Sequence, residues 1–388
     1  MEGSYLDHAA TTPLFPEVVD AMADFLREHY GNPSSLHHFG ADAKGYLDQA
    51  RARVAELIHA TPETITFTSG GTEADNIAIF GAAAHAAKLG KRHFITSAVE
   101  HHAVLESCEE LAREGFDLTV LPVDSYGMVQ PDTLRESLRD DTFLVTIMHA
   151  NNEVGTINPI PELAELAHQR GALFHKDAVQ SVGKIACDVA ELGVDMLTYS
   201  SHKINGPKGV GALYLRPGVT LERRVWGGGQ ERTLRSGTEN MPGIVGFGKA
   251  AELTAAQWQE HAAAWKKLRD LLVEQVLQRI PYTYLNGHPT QRLPHNANLS
   301  FDYIESEALL QYLDMNGIAC SSGSACSSGV EGPSHVLQAM HLPEGIISSA
   351  LRFSLGLGVT ETQILRVVDV LEDKVALLRR MSPFYPQK

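Results

Sequence analysis

The chain has 388 residues, enough for two domains and a sizeable core, and its 44% hydrophobic and 20% charged content is that of a folded globular protein rather than a disordered one. Its 47 acidic residues against 32 basic ones leave a net charge of −15, which would repel a phosphate backbone, so no direct nucleic-acid partner is expected. Four cysteines are too few for a disulfide framework, and no signal-like leader or bilayer-length apolar run is present, so a cytoplasmic protein without a membrane partner is expected.

In chain order, a short extended segment (5–13) runs into a proline-marked turn. Helical spacing follows over 16–29 and 41–59, with the loop Tyr30-Gly31-Asn32-Pro33-Ser34-Ser35 between them. The strand 64–68 leads into Ser69-Gly70-Gly71-Thr72-Glu73 and then a helical pattern over 74–89. Strand, Gly-rich turn and helix make an anion site, because two glycines let the backbone approach a ligand and the helix N-terminus presents free amides to a phosphate. Strands at 93–96, 118–121, 143–148 and 172–175 alternate with helices at 102–113, 132–138 and 161–168. This alternation predicts a doubly wound α/β fold with a mostly parallel sheet, in which residues just beyond the strands converge on one crevice; His101, Asn152 and Asp177 are such residues.

Two apolar runs, 194–197 and 210–215, flank Tyr199-Ser200-Ser201-His202-Lys203-Ile204-Asn205-Gly206-Pro207-Lys208-Gly209. Lys203 is thereby predicted at a strand end, where an aldehyde cofactor could be captured. The Gly-rich stretch 226–240 is too long for a simple turn and reads as functional. A long helix over 243–279 bridges to a smaller C-terminal region, with a further helix over 306–315. Beyond it, the Ser/Gly-rich stretch 317–333 holds Cys320 and Cys326, and a cysteine in such a loop suits transfer between sites better than core packing.

Taken together, these motifs resemble those of the group I cysteine desulfurases, pyridoxal-phosphate enzymes of fold type I (aspartate aminotransferase-like). The matching stretches are Tyr5-Leu6-Asp7 with Ala10-Thr11-Thr12-Pro13, Gly31 to Ser35, Thr68 to Glu73, Glu100-His101, Asn151-Asn152-Glu153, Asp177 with Gln180-Ser181, Ser200 to Gly209, Arg235 to Thr238, Ser322 to Cys326, and Arg352-Phe353-Ser354.

The resemblance implies an α/β fold whose mostly parallel sheet belongs to a large cofactor domain (14–255). A smaller α+β domain (1–13 and 256–388) would carry the cysteine loop at about 320–333. It implies that Lys203 bonds the cofactor and moves the substrate Cα proton, and that Asp177 keeps the ring nitrogen protonated. Gly71, Thr72, Ser200 and His202 would hold the phosphate, joined by Thr238 of a second copy in a homodimer. His101 would stack on the ring and act as acid and base, while Gln180 and Asn152 orient cofactor and substrate. Arg352, helped by Asn32, would pair with the carboxylate of L-cysteine. Cys326, directly after Ser322-Gly323-Ser324-Ala325, would be the nucleophile that takes the sulfur as a persulfide and passes it to acceptor proteins such as an iron–sulfur scaffold or thiolation enzyme. No metal is required on this reading, although Cys326 could transiently ligate an iron–sulfur cluster. An aminotransferase or a selenocysteine lyase would share Lys203, Asp177 and the phosphate cup, and a non-catalytic metal or cluster protein using Cys320 and Cys326 is a further alternative.

Overall fold

The computed structural model describes residues 3–322 and 332–386. The first half of the chain gives β1 (Ser4–Tyr5), α1 (Pro16–Glu28), α2 (His38–Glu56), β2 (Ile65–Thr68), α3 (Gly71–Lys88), β3 (His93–Ser97), α4 (His102–Arg113), β4 (Asp117–Leu121), α5 (Pro131–Ser137), β5 (Thr142–Thr146), α6 (Ile160–Gln169), β6 (Leu173–Asp177), α7 (Val189–Leu192), β7 (Met196–Ser200) and β8 (Gly211–Leu215). The remainder gives α8 (Met241–Arg279), β9 (Thr283–Asn286), β10 (Asn296–Phe301), α9 (Ser306–Met315), β11 (Ile318–Ala319), β12 (Ser321–Ser322), α10 (His335–Ala339), α11 (Glu344–Ser348), β13 (Ala350–Ser354) and α12 (Glu361–Met381).

Seven strands form one sheet in the order β2-β8-β7-β6-β5-β3-β4. Pairing is parallel from β7 through β4, and β8 alone runs against its neighbours β7 and β2. Only ten residues separate β7 from β8, too few for the helical crossover that a parallel return requires. The strands are apolar on both faces because helices cover both. Successive side chains therefore part company: Phe94, Leu144, Met196 and Leu213 pack with Ile77 of α3 and Val104 of α4. Their neighbours Ile95, Val145, Leu197 and Ala212 pack with Leu47 of α2, Leu163 of α6 and Phe247 of α8.

A second sheet, β12-β13-β10-β9, builds a separate core from Leu299 and Phe353 against Ile364 and Leu371 of α12. The long α8 joins the two cores, burying Ile244 and Phe247 in one and Leu272 and Val276 in the other. Leu6 enters the smaller core, so the first residues of the chain return to the last strand.

Strand β2 is an edge of the large sheet, and side chains take its Ile65 oxygen and its Phe67 amide. Arg51 and Arg232 donate to the main-chain oxygen of Ile65 at 2.8 and 3.0 Å, and the Phe67 amide donates to Glu231 at 2.9 Å. Arg51 also grips both Glu231 oxygens at 2.7 Å, with Glu231 almost fully buried. Glu231, Arg232 and Thr233 hold φ angles of 44°, 53° and 71°. Left-handed backbone costs a non-glycine residue about 1 kcal/mol or more, so three in succession persist only because these bonds over-determine the turn.

Candidate active site

The C-terminal ends of the central strands open into a cavity of about 320 Å³. It is lined by Ala10, Gly71, Thr72, Asp75, His101, Met148, Ala150, Asn152, Asp177, Val179, Gln180, Ser200, His202 and Lys203. Helix α3 starts at Gly71 rather than at residue 74, so Gly71 and Thr72 form its first turn and their amides are among those without a partner inside the helix. A Cβ on Gly71 would stand 2.8 Å from Val179 Cγ2, so only glycine fits this approach of helix to wall without a shift. The turn before it is braced: the Ser69 amide donates to Glu73, and Arg235 Nε pairs with the other Glu73 oxygen at 2.9 Å. Arg235 comes from the stretch that the strained turn at 231–233 anchors.

Strand β6 runs two residues further than its apolar run suggests and ends on Asp177. Asp177 Oδ1 accepts from the Val179 amide at 2.8 Å, and burial raises its pKa to about 6 against the pull of the Lys203 and Lys176 charges. His101 caps α4, its Nδ1 accepting from the Ala103 amide at 3.1 Å. Burial, with the Lys203 charge, pushes its pKa down to about 4, so at neutral pH the imidazole is uncharged and carries its proton on Nε2. His202 lies against Thr11 Oγ1 at 3.2 Å and is pushed down to about 3, first by burial and then by lysine charges.

Lys203 sits in the short helical turn after β7, almost buried. Its Nζ donates to the main-chain oxygens of Ala9 and Ala10, both at 2.6 Å. Gln180 Nε2 donates to the same Ala9 oxygen at 2.9 Å, whereas Gln180 Oε1 is buried on the cavity wall without a partner among the described residues.

The sequence did not single out Asp75, Met148, Ala150 or Val179 as wall residues, and Ala10 stood only within the matching stretch Ala10-Thr11-Thr12-Pro13. Asp75 stands one helical turn after Gly71 and hence on the same face, which is the signal that could have found it. It is buried, and burial followed by the Asp177 charge raises its pKa well above the carboxylate range.

Three expected residues are not on this wall. Arg352 is fully buried on β13, its Nη1 donating to the main-chain oxygen of Asn152 and its Nη2 paired with Asp7, each at 3.0 Å. Asn32 is exposed and accepts from the Ser34 amide at 2.9 Å. Thr238 is exposed in the loop before α8. Cys326 lies outside the described residues. Cys320 packs against the smaller core, and burial pushes its thiol well above the usual range, which disfavours the thiolate.

A family model for class-V aminotransferases matches residues 4–367. The chain belongs to the class-V aminotransferase family. Among class-V relatives, cysteine desulfurase IscS of Methanosarcina thermophila is 50% identical over 384 residues, covering 99% of this chain and 95% of that protein. The solved structure of a NifS-like protein superposes with a TM-score of 0.91 at 38% identity, over 97% of this chain and 100% of the other. A structure described as SspA in complex with cysteine gives 0.80 at 35% identity, over 91% and 98%. The architecture is the pyridoxal-phosphate fold type I expected from the sequence.

Proposed function

We propose that this chain is a pyridoxal-phosphate-dependent cysteine desulfurase, converting L-cysteine to L-alanine and retaining the sulfur on Cys326. The observation that carries the reaction is the 50% identity to cysteine desulfurase IscS over 99% of the chain, and the meeting of Lys203, Asp177 and the α3 N-terminus in one cavity supports the cofactor. These groups fit the cofactor: free helix amides with Ser200 and His202 suit its phosphate, Asp177 suits a cationic ring nitrogen, and the orphaned Gln180 Oε1 suits a donor on the bound group. When bound, pyridoxal phosphate supplies an aldehyde for a lysine amine and a ring that withdraws electrons from the substrate Cα.

The protein's own part follows from its side chains. Asp177 holds the proton at the ring nitrogen. Lys203, standing between the Ala9 and Ala10 carbonyls and the cavity, takes and returns the Cα proton. Neutral His101, on the wall of the same cavity, offers its Nε2–H as a donor. Arg352, which donates to the Asn152 main-chain oxygen, takes the substrate carboxylate with help from Asn32 and Asn152, and Thr238 of a second copy completes the phosphate cup in a homodimer. The thiolate of Cys326 attacks the substrate sulfur: the substrate C–S bond breaks, its electron pair stays on carbon and is protonated to give alanine, and an S–S bond forms as the enzyme persulfide. That sulfur then passes to acceptor proteins for iron–sulfur cluster assembly or thiolation. The division into residues 14–255 and residues 1–13 with 256–388 is proposed on the same footing.

The reading predicts that holoenzyme mixed with L-cysteine releases alanine and shows an added sulfur on the peptide containing Cys326 by mass spectrometry. Absence of a persulfide at every cysteine would refute it.

A further inference from the structure

The segment from Tyr5 to Pro13 runs from β13 to the wall of the cavity. At one end Asp7 Oδ1 accepts from Arg352 Nη2 at 3.0 Å, and Ala9 N donates to Ser354 Oγ at 2.8 Å, so the segment is bound to β13. Two residues past Asp7, the Ala9 oxygen accepts from Lys203 Nζ and Gln180 Nε2, and Thr12 Oγ1 donates to the His202 oxygen at 2.8 Å. Tyr5 Oη donates to the main-chain oxygens of Asp7 and Thr11 at 3.2 and 3.0 Å, holding the turn between these anchors. Asp7 is thus fixed on the Arg352 side of the site by backbone contacts that its own side chain does not supply.

That position has an electrostatic consequence. Arg352 is fully buried and the Asp7 side chain is 19% exposed, so water screens the pair only in part. A ligand carboxylate that reaches the same guanidinium comes within a few ångströms of the Asp7 carboxylate, and the two like charges repel. Substrate and product carry the same α-carboxylate, so binding it at full strength would tighten both and add nothing to turnover. Resting on the reading of Arg352 as the carboxylate-binding group, we propose that Asp7 offsets the Arg352 charge and weakens the site's hold on the carboxylate shared by substrate and product.

The test is Asp7→Asn, whose side-chain oxygen can still accept from Arg352 while the charge is gone. In the holoenzyme, the Kd for L-alanine measured by calorimetry falls by about fivefold or more, and KM for L-cysteine falls with it while kcat does not rise. L-Alanine methyl ester, which lacks the carboxylate, changes by less than about twofold because no like charge is relieved. An unchanged or larger Kd for L-alanine, or an equal gain for the ester, overturns the proposal and leaves Asp7 as a structural partner. Should Asp7→Asn fold poorly, Asp7→Ser carries the same comparison with a smaller acceptor. Failure of the desulfurase reading shows separately, as wild-type holoenzyme that yields no alanine from L-cysteine.

Discussion

Lys184 donates its Nζ to the main-chain oxygen of Lys203 at 3.1 Å from a buried position behind the cavity wall. Burial, with the Lys203 charge, pushes the Lys184 amine down to about 7. Between that value and the normal lysine pKa the unfolded chain binds a proton that the folded chain rejects, so stability rises with pH through this window. In Lys184→Met that contribution disappears. Urea unfolding of the cofactor-free variant at pH 7 and pH 9 therefore shows a smaller alkaline gain than the wild type, alongside a loss of about 1 kcal/mol or more from the unsatisfied Lys203 carbonyl.

The two cysteines of the C-terminal region separate by substitution. Cys326→Ala retains cofactor absorbance but forms neither alanine nor persulfide from L-cysteine. Cys320→Ala stays within about threefold of wild-type turnover, because the residue is half-buried against the smaller core and its thiol is held protonated. A dead Cys320→Ala with a live Cys326→Ala would reverse the assignment.

Asp177→Asn retains the far-ultraviolet dichroism of the wild type and loses at least about a hundredfold in kcat. An amide in place of the carboxylate cannot hold a proton on a ring nitrogen, and the cost of removing such an electrostatic partner is about 3 kcal/mol in the barrier. Steady-state kinetics on cofactor-saturated protein provide the check.

Glu231→Ala leaves Arg51 as a buried cation and releases the left-handed turn. Breaking a buried pair from one side costs about 3–5 kcal/mol, so denaturant titration should show a loss of that order. Because Arg235 braces Glu73 from the same stretch, the variant also loses cofactor faster on dilution, read as decay of the bound-cofactor absorbance.

The parallel sheet was legible because its strands are short apolar runs separated by helical patterns, and for the same reason His101 after β3, Asp177 at the end of β6 and Lys203 after β7 were legible as residues that converge on one cavity. Local pattern did not reach Asp75, which reads as one more polar residue in a helix until the helix start is moved back to Gly71. Nor could it reach the pairing of Asp7 with Arg352, because 345 positions separate them and neither neighbourhood names the other. The turn at Glu231 was hidden for a different reason. Its conformation is one that sequence reading assigns to glycine, and it is imposed here by Arg51 from α2.

The closure of β2 also bears on what the molecule can do in crowded solution. An uncovered edge of a seven-stranded sheet is a template on which another chain's strand can be laid, the first step of fibril growth. With the Ile65 oxygen and the Phe67 amide already engaged by Arg51, Arg232 and Glu231, that edge presents charged side chains in place of vacant ladder positions. The same residues that position Arg235 beside the helix turn thus also protect the folded chain from self-templated assembly along β2.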